Sequence, residues 1–220
     1  MSPNPLLEIN QLSAGYRRPL FQGLDLVVQP REIISILGEN GSGKTTLIDI
    51  LMGLKKPSFG SISFFGRSTK FGSAAELNQR TGWVISQEEA YPPFLTVDGF
   101  FRILRPCFPR WDQQLVHSLA ERFSLNLDKK LTHLSLGEAS KVKLIKALAH
   151  HPDLLVLDEL TANLSESSKS AIMECLMDQF AARSMGILYF CHVREEAVRI
   201  SDRILRLTPN GLNSEQGGAQ

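Results

Sequence analysis

The segment Ile33-Ile34-Ser35-Ile36-Leu37-Gly38-Glu39-Asn40-Gly41-Ser42-Gly43-Lys44-Thr45 decides how this chain is read. Its first five residues are aliphatic apart from Ser35, as expected of a strand buried on both faces of a parallel sheet. The next eight fit the pattern G-x-x-x-x-G-K-[ST]. Residues 45–54 then place Leu47, Ile48, Leu51 and Leu54 on a helical stripe that closes near Gly53. Strand, glycine loop and helix open a βα unit with a defined chemistry. Glycines let the backbone curl so that successive N–H groups point inward at phosphate oxygens, and the helix adds its positive end. Lys44 is expected to reach the β- and γ-phosphates and the Thr45 hydroxyl to bind Mg2+. Gly38, Glu39, Asn40, Gly41, Ser42, Gly43, Lys44, Thr45 and Thr46 together form a cradle for a nucleoside triphosphate.

Outward from this unit, Ser61-Ile62-Ser63-Phe64-Phe65 alternates and ends at Gly66, the pattern of an antiparallel strand. Pro92-Pro93 breaks the chain, and helical patterns dominate to about residue 150. Leu115, Leu119 and Phe123 share a helix over 111–123; Val142, Ile145 and Ala149 share one over 141–149. Leu154-Leu155-Val156-Leu157 restarts a buried strand, followed by a helix (167–180), a strand (186–191), a helix (195–200) and a strand (203–207). Alternation of this kind predicts an α/β fold: a P-loop NTPase core with a mainly parallel sheet, an antiparallel β subdomain and an inserted α-helical subdomain. The expected division of one domain over 1–220 is a core at 1–87 and 151–207, including the N-terminal β subdomain, and helices at 88–150. The polar, glycine-containing stretch 208–220 is expected to fray.

Composition narrows the function classes. With 24 basic and 23 acidic residues the net charge is +1, so no general field points at nucleic acid, and no nucleic-acid partner is expected. The longest apolar run, 185–191, is too short to span a bilayer, and Met1-Ser2-Pro3-Asn4-Pro5 lacks the features of a signal peptide. Cys107, Cys175 and Cys191 are odd in number and far apart, which excludes a disulfide framework or a metal cluster and suits a reducing compartment.

A second acidic site lies downstream, where Leu154-Leu155-Val156-Leu157-Asp158-Glu159 delivers adjacent carboxylates at a strand's carboxyl end, where ligands bind in open parallel sheets. Asp158 suits Mg2+, through water, and Glu159 suits polarisation of an attacking water. Between the two sites, Leu134-Ser135-Leu136-Gly137-Glu138 makes an S-x-x-E capping box that opens the helix over 141–149. Its N-terminus offers free N–H groups and a hydroxyl to an anion. Taken together, the three segments resemble the ATP-binding cassette (ABC) family, from about residue 7 to residue 207 and in the family's motif order.

The resemblance implies more than the residues show alone. It makes the nucleotide ATP, places Tyr16 where an aromatic stacks on adenine, and places Gln87 in the Q-loop as a sensor of Mg2+ and water. It makes His192 a γ-phosphate contact, and gives Ser135 and Gly137 a role in trans on ATP held by a second subunit. The implied protein is an ATPase subunit of an ABC transporter, forming a homodimer or a heterodimer with another ABC ATPase. It would drive a separate membrane permease from the inner, cytoplasmic face. The run Phe108-Pro109-Arg110-Trp111-Asp112 looks similar to the bacterial exporter type. His117, His133, His150 and His151 match no motif and are read as structural or solvated.

Three departures qualify the match: Leu160 replaces a proline after the catalytic glutamate, Ser165 replaces the D-loop aspartate, and Leu136 and Glu138 replace glycine and glutamine in the signature. They leave two alternatives open, a non-transport ABC ATPase and a slow-hydrolysing ATP-gated binding module. No Asn-Lys-x-Asp guanine motif supports a GTPase.

Overall fold

The computed structural model describes residues 4–15, 19–68, 74–86 and 91–215. In chain order the elements are β1 (Leu7–Gly15), β2 (Pro19–Val28), β3 (Ile33–Leu37), α1 (Lys44–Leu51), β4 (Phe59–Phe64), β5 (Arg67–Ser68), α2 (Ala74–Arg80) and β6 (Thr81–Val84). There follow α3 (Val97–Leu104), α4 (Gln113–Arg122), α5 (Leu136–Leu148), β7 (Leu154–Asp158), α6 (Glu166–Ala181), β8 (Gly186–Cys191), α7 (Arg194–Ile200), β9 (Arg203–Thr208) and β10 (Gly211–Ser214). The architecture is α/β, with parallel ladders, a separate antiparallel sheet and a run of helices between β6 and β7.

Two compact units divide the chain, Met1–Asn78 with Ser184–Gln220, and Gln79–Arg183. In the first, β3 is buried at all five positions and pairs in parallel with β8 and β9, which explains its unbroken aliphatic run. β2, β1, β4 and β5 form the antiparallel sheet, with alternating burial along β1 and β2. Close packing joins β8 to the start of the chain: a Cβ at Gly186 would sit 2.7 Å from Leu6 Cδ1 and 2.9 Å from the Gln29 carbonyl oxygen. The stretch expected to fray does not do so over its first half. β10 pairs antiparallel with β9 from Gly211↔Thr208 to Ser214↔Leu205, and the Gln22 amide donates to the Pro209 carbonyl at 3.0 Å. Thr208 Oγ1 accepts from Asn210 N and Asn213 Nδ2, a polar turn whose hydrogen bonds supply what apolar periodicity lacks.

The second unit carries the parallel pair β6–β7, in register from Thr81↔Leu154 to Val84↔Leu157, together with α3 to α6. The strand bearing Asp158 packs with the helices in this unit. Gly82 shows why: a Cβ there would run into the Ala147 carbonyl oxygen of α5 and lie 2.8 Å from Leu155 Cδ1. At the far end of α5, His150 stacks on Phe108 with ring centroids 4.4 Å apart and bonds the Thr81 carbonyl at 3.3 Å. Burial pushes its pKa down to about 4, so it is a neutral core residue. His151 bonds Asp112, the N-cap of α4, at 3.0 Å.

The chain leaves β7 through Glu159 in the left-handed region, φ 48°, and turns with the Ala162 amide donating to the Glu159 carbonyl at 3.1 Å. Leu160, in the place of the family's proline, is buried and anchors this turn by packing. Two stability outcomes follow. Gly82→Ala should lower the urea-unfolding free energy by about 1–3 kcal/mol through overlap with α5, and an unchanged midpoint would contradict the packing described. At residue 159, glycine should be more stable than alanine by about 1 kcal/mol, since only glycine adopts this conformation without steric cost. An alanine variant as stable as the glycine variant would refute the strained backbone.

Candidate functional site

The phosphate half is built at the carboxyl end of β3. Leu37 pairs with Cys191, so Gly38 and His192 leave neighbouring parallel strands at the same end. Gly41 and Gly43 adopt φ 83° and 103°, the left-handed turns that swing the loop back over itself. A Cβ at Gly38 would crowd Ser42 Oγ, so the serine hydroxyl would have to turn away. Lys44 is only 7% exposed; its Nζ donates to the carbonyls of Gly38 at 2.5 Å and Glu39 at 3.3 Å, crossing under the loop. Ser42 N donates to the Glu39 carbonyl at 3.1 Å, while Ser42 Oγ is a buried hydroxyl with no hydrogen-bond partner among the described residues.

An orphaned buried hydroxyl costs about 1–3 kcal/mol, so its natural complement is an acceptor brought by a ligand. The N-cap of α1 is Gly43, which provides no side-chain cap, so the first helical amides carry no competing oxygen from it. These features fit a polyphosphate. Thr45 is exposed, Thr46 half-buried and His192 exposed. Beneath the loop, burial pushes the Cys191 thiol up to about 12, which leaves it un-ionised and inert at neutral pH. Tyr16 lies outside the described residues.

A cluster of acids is built at the end of β7, within the second unit. Asp158 is 4% exposed, and its Oδ2 accepts from Ser86 Oγ at 2.5 Å and from Ser86 N at 3.4 Å. Ser86 is a site residue that sequence reasoning passed over. The available signal was its position two residues beyond β6, whose pairing Val84↔Leu157 carries it to Asp158. Lys143 Nζ, from α5, donates to the Ile85 carbonyl at 3.0 Å and holds the same loop. Gln87, one residue further on, lies outside the described residues. Glu159 follows Asp158, half-buried and in its left-handed conformation, where backbone strain is typical of functional positions.

The serine-capped helix belongs to the second unit as well. Ser135 is the N-cap of α5: its Oγ accepts from Glu138 N at 3.3 Å, and Glu138 Oε2 accepts from Ser135 N at 2.8 Å. The helix starts at Leu136, as the Ser135–Glu138 capping box indicates, ahead of the apolar stripe over 141–149. Lys129 Nζ closes on both Glu138 oxygens at 2.9 and 2.7 Å; with the Ser135 amide it holds the Glu138 carboxyl down at about 2. Gly137 faces α6, where a Cβ would lie 2.9 Å from Ser168 Oγ. Ser165 caps α6 by accepting from Ser168 N, so the residue in the aspartate's place performs an N-cap role that aspartate also favours.

The model of the ABC transporter family matches residues 21–162. The chain is 29% identical over 212 residues to a putative ribose/galactose/methyl galactoside import ATP-binding protein of Pseudomonas savastanoi pv. phaseolicola, covering 92% of this chain and 40% of that protein. It is 28% identical over 210 residues to the ABC transporter ATP-binding protein YtrB of Bacillus subtilis, covering 95% of this chain and 71% of YtrB. A solved ATP-binding subunit of an ABC transporter matches with a TM-score of 0.85 at 26% identity, over 96% of this chain and 90% of that one. The chain therefore spans about two fifths of the length of the sugar-import relative. With more than half of its residues inside the family model and its fold matched nearly end to end, the chain belongs to the ABC transporter family.

Proposed function

We propose that this chain is the ATP-binding and ATP-hydrolysing subunit of an ABC transporter, closing with a second cassette around two ATP molecules to drive a separate membrane permease. The second cassette is a copy of this chain or another ABC ATPase. The observation that carries the reading is the phosphate cradle: left-handed Gly41 and Gly43, an uncapped helix start, a buried Lys44 and an orphaned Ser42 hydroxyl converge on one loop. Among the described residues no helix is long and apolar enough to cross a membrane. We place the cassette at the cytoplasmic face of that membrane, peripheral to it.

Each site residue has a role in this reading. The amides of the Gly38–Thr46 loop hold the β- and γ-phosphates, and Lys44 adds its charge to them. Tyr16 stacks on adenine. The donor set of Thr45 hydroxyl, Asp158 carboxylate and Gln87 amide is all hard oxygen, the chemistry Mg2+ requires. When bound, Mg2+ neutralises charge on the β- and γ-phosphates as a Lewis acid. Glu159 accepts the proton of the attacking water, and His192 donates a hydrogen bond to the γ-phosphate. Ser135 and Gly137 donate to the γ-phosphate of the nucleotide held by the second cassette. The two altered positions near Glu159 are accommodated in the fold, Leu160 by burial and Ser165 as a helix cap.

Lys44→Ala should raise the dissociation constant for ATP at least about tenfold, or 1.4 kcal/mol; an unchanged value in a titration would remove the cradle assignment. Glu159→Gln should lower ATP turnover at least about hundredfold, the range expected for a general base, and should trap a dimer on ATP and Mg2+. Equal, negligible turnover in both proteins would instead establish the binding module. A monomeric light-scattering mass at saturating ATP would count against the sandwich.

A further inference from the structure

The charge at position 138 stands where the sandwich can least accommodate it. Glu138 occupies the third helical position of α5, one residue beyond Gly137, in the turn that the proposed function aims at the partner's γ-phosphate. A bare carboxylate there would oppose an incoming polyphosphate. Yet its charge is engaged: both oxygens accept from Lys129 Nζ, and Oε2 also accepts from the Ser135 amide.

Lys129 is fixed at its backbone. Its carbonyl accepts from Val97 N at 3.0 Å and its amide donates to Asn126 O at 3.2 Å. Asp98 N donates to Leu127 O at 2.9 Å and Leu131 N to Leu95 O at 2.9 Å, so residues 127–131 are tied to the start of α3. Thr96 and Lys130 form an antiparallel bridge in the middle of this ladder. With side chains 32% and 27% exposed, the ion pair is too open to contribute much stability, so its effect must be sought in the field it leaves at the helix start. The capping box uses the Ser135 and Glu138 amides; those of Leu136 and Gly137, at the first two helical positions, lie outside it and stay oriented along the helix axis.

We infer that Lys129 is a positioning residue for nucleotide capture in trans: it neutralises Glu138 and holds the capping box, so that the Ser135 hydroxyl and the Leu136 and Gly137 amides present a positive face to ATP on the second cassette. This rests on the sandwich reading of the preceding subsection. It also accounts for a glutamate in a position where the family commonly has an uncharged glutamine: glutamine makes the same box without a charge, and the glutamate form needs a dedicated cation.

The experiment follows ATP-driven dimerisation by sedimentation in the Glu159→Gln background, with ATP and Mg2+ saturating. Lys129→Met should weaken dimerisation about tenfold, more strongly at low ionic strength than at high. Lys129→Arg should leave it within about twofold, and combining Lys129→Met with Glu138→Gln should restore it. Glu138→Gln alone, with Lys129 intact, should dimerise at least as tightly as the parent, which keeps the test decisive if Lys129→Met folds poorly. Lys129→Met dimerising like the parent, or Glu138→Gln failing to restore it, overturns the role of Lys129 and leaves the sandwich standing. A parent that stays monomeric overturns both.

Discussion

A polyphosphate can be gripped by a backbone only where the chain turns its amides inward, and an L-residue chain does so only at a steric cost. In this cassette that cost is confined to Gly41 and Gly43, whose left-handed dihedrals bring the loop back over β3 while keeping α1 in line with it. Everything in the phosphate half depends on this turn. It buries Lys44 against the Gly38 and Glu39 carbonyls and leaves Ser42 Oγ inside without a partner among the described residues. β3 supplies the rigid floor: its five buried residues, paired on both edges, fix the end of the strand from which the loop departs.

What could be read in the sequence was what chemistry keeps local. The loop from Gly38 to Thr45, the acids at the end of β7 and the box at Ser135 each announce themselves within eight residues, because one ligand group or one helix end dictates neighbouring side chains. The antiparallel sheet was legible only in part. β4 alternates only over its last residues, and β1 and β2 pair through register shifts that interrupt their alternation, with left-handed Gln11 and Gly23 among the irregularities. β10 was missed because its partner is β9 and its turn is held by Thr208 and asparagines, none of which makes an apolar pattern. The grouping of β6 and β7 with the helices is not written locally either. That Gly82 is a contact point for α5 depends on a helix more than fifty residues away, and a lone glycine in a strand says only that something comes close.

Two departures from the family pattern have a local physical replacement. Where proline would stiffen the turn after Glu159, Leu160 is buried instead, and the left-handed Glu159 avoids the restriction that a following proline imposes. Where aspartate would cap α6, Ser165 accepts the same amide. Ser168, whose amide Ser165 holds, is also the neighbour that Gly137 faces, so the α6 cap and the signature turn meet at one residue.

Glu138 differs in kind from these, since its replacement supplies a charge as well as a shape. The helix start already favours an anion, and Glu138 occupies that favour itself unless its charge is cancelled. A carboxylate held at about 2 stays ionised throughout the physiological range, so protonation cannot remove it; only a cation can. Lys129 is placed to do this by backbone bonds to the first turn of α3 rather than by its own flexible stem, which makes the cancellation a property of how residues 95–98 and 127–131 pair. A signature with an acid at this position is therefore not complete within its five residues. Its competence for a second cassette's nucleotide depends on a lysine nine positions upstream and on the loop ladder that holds that lysine still.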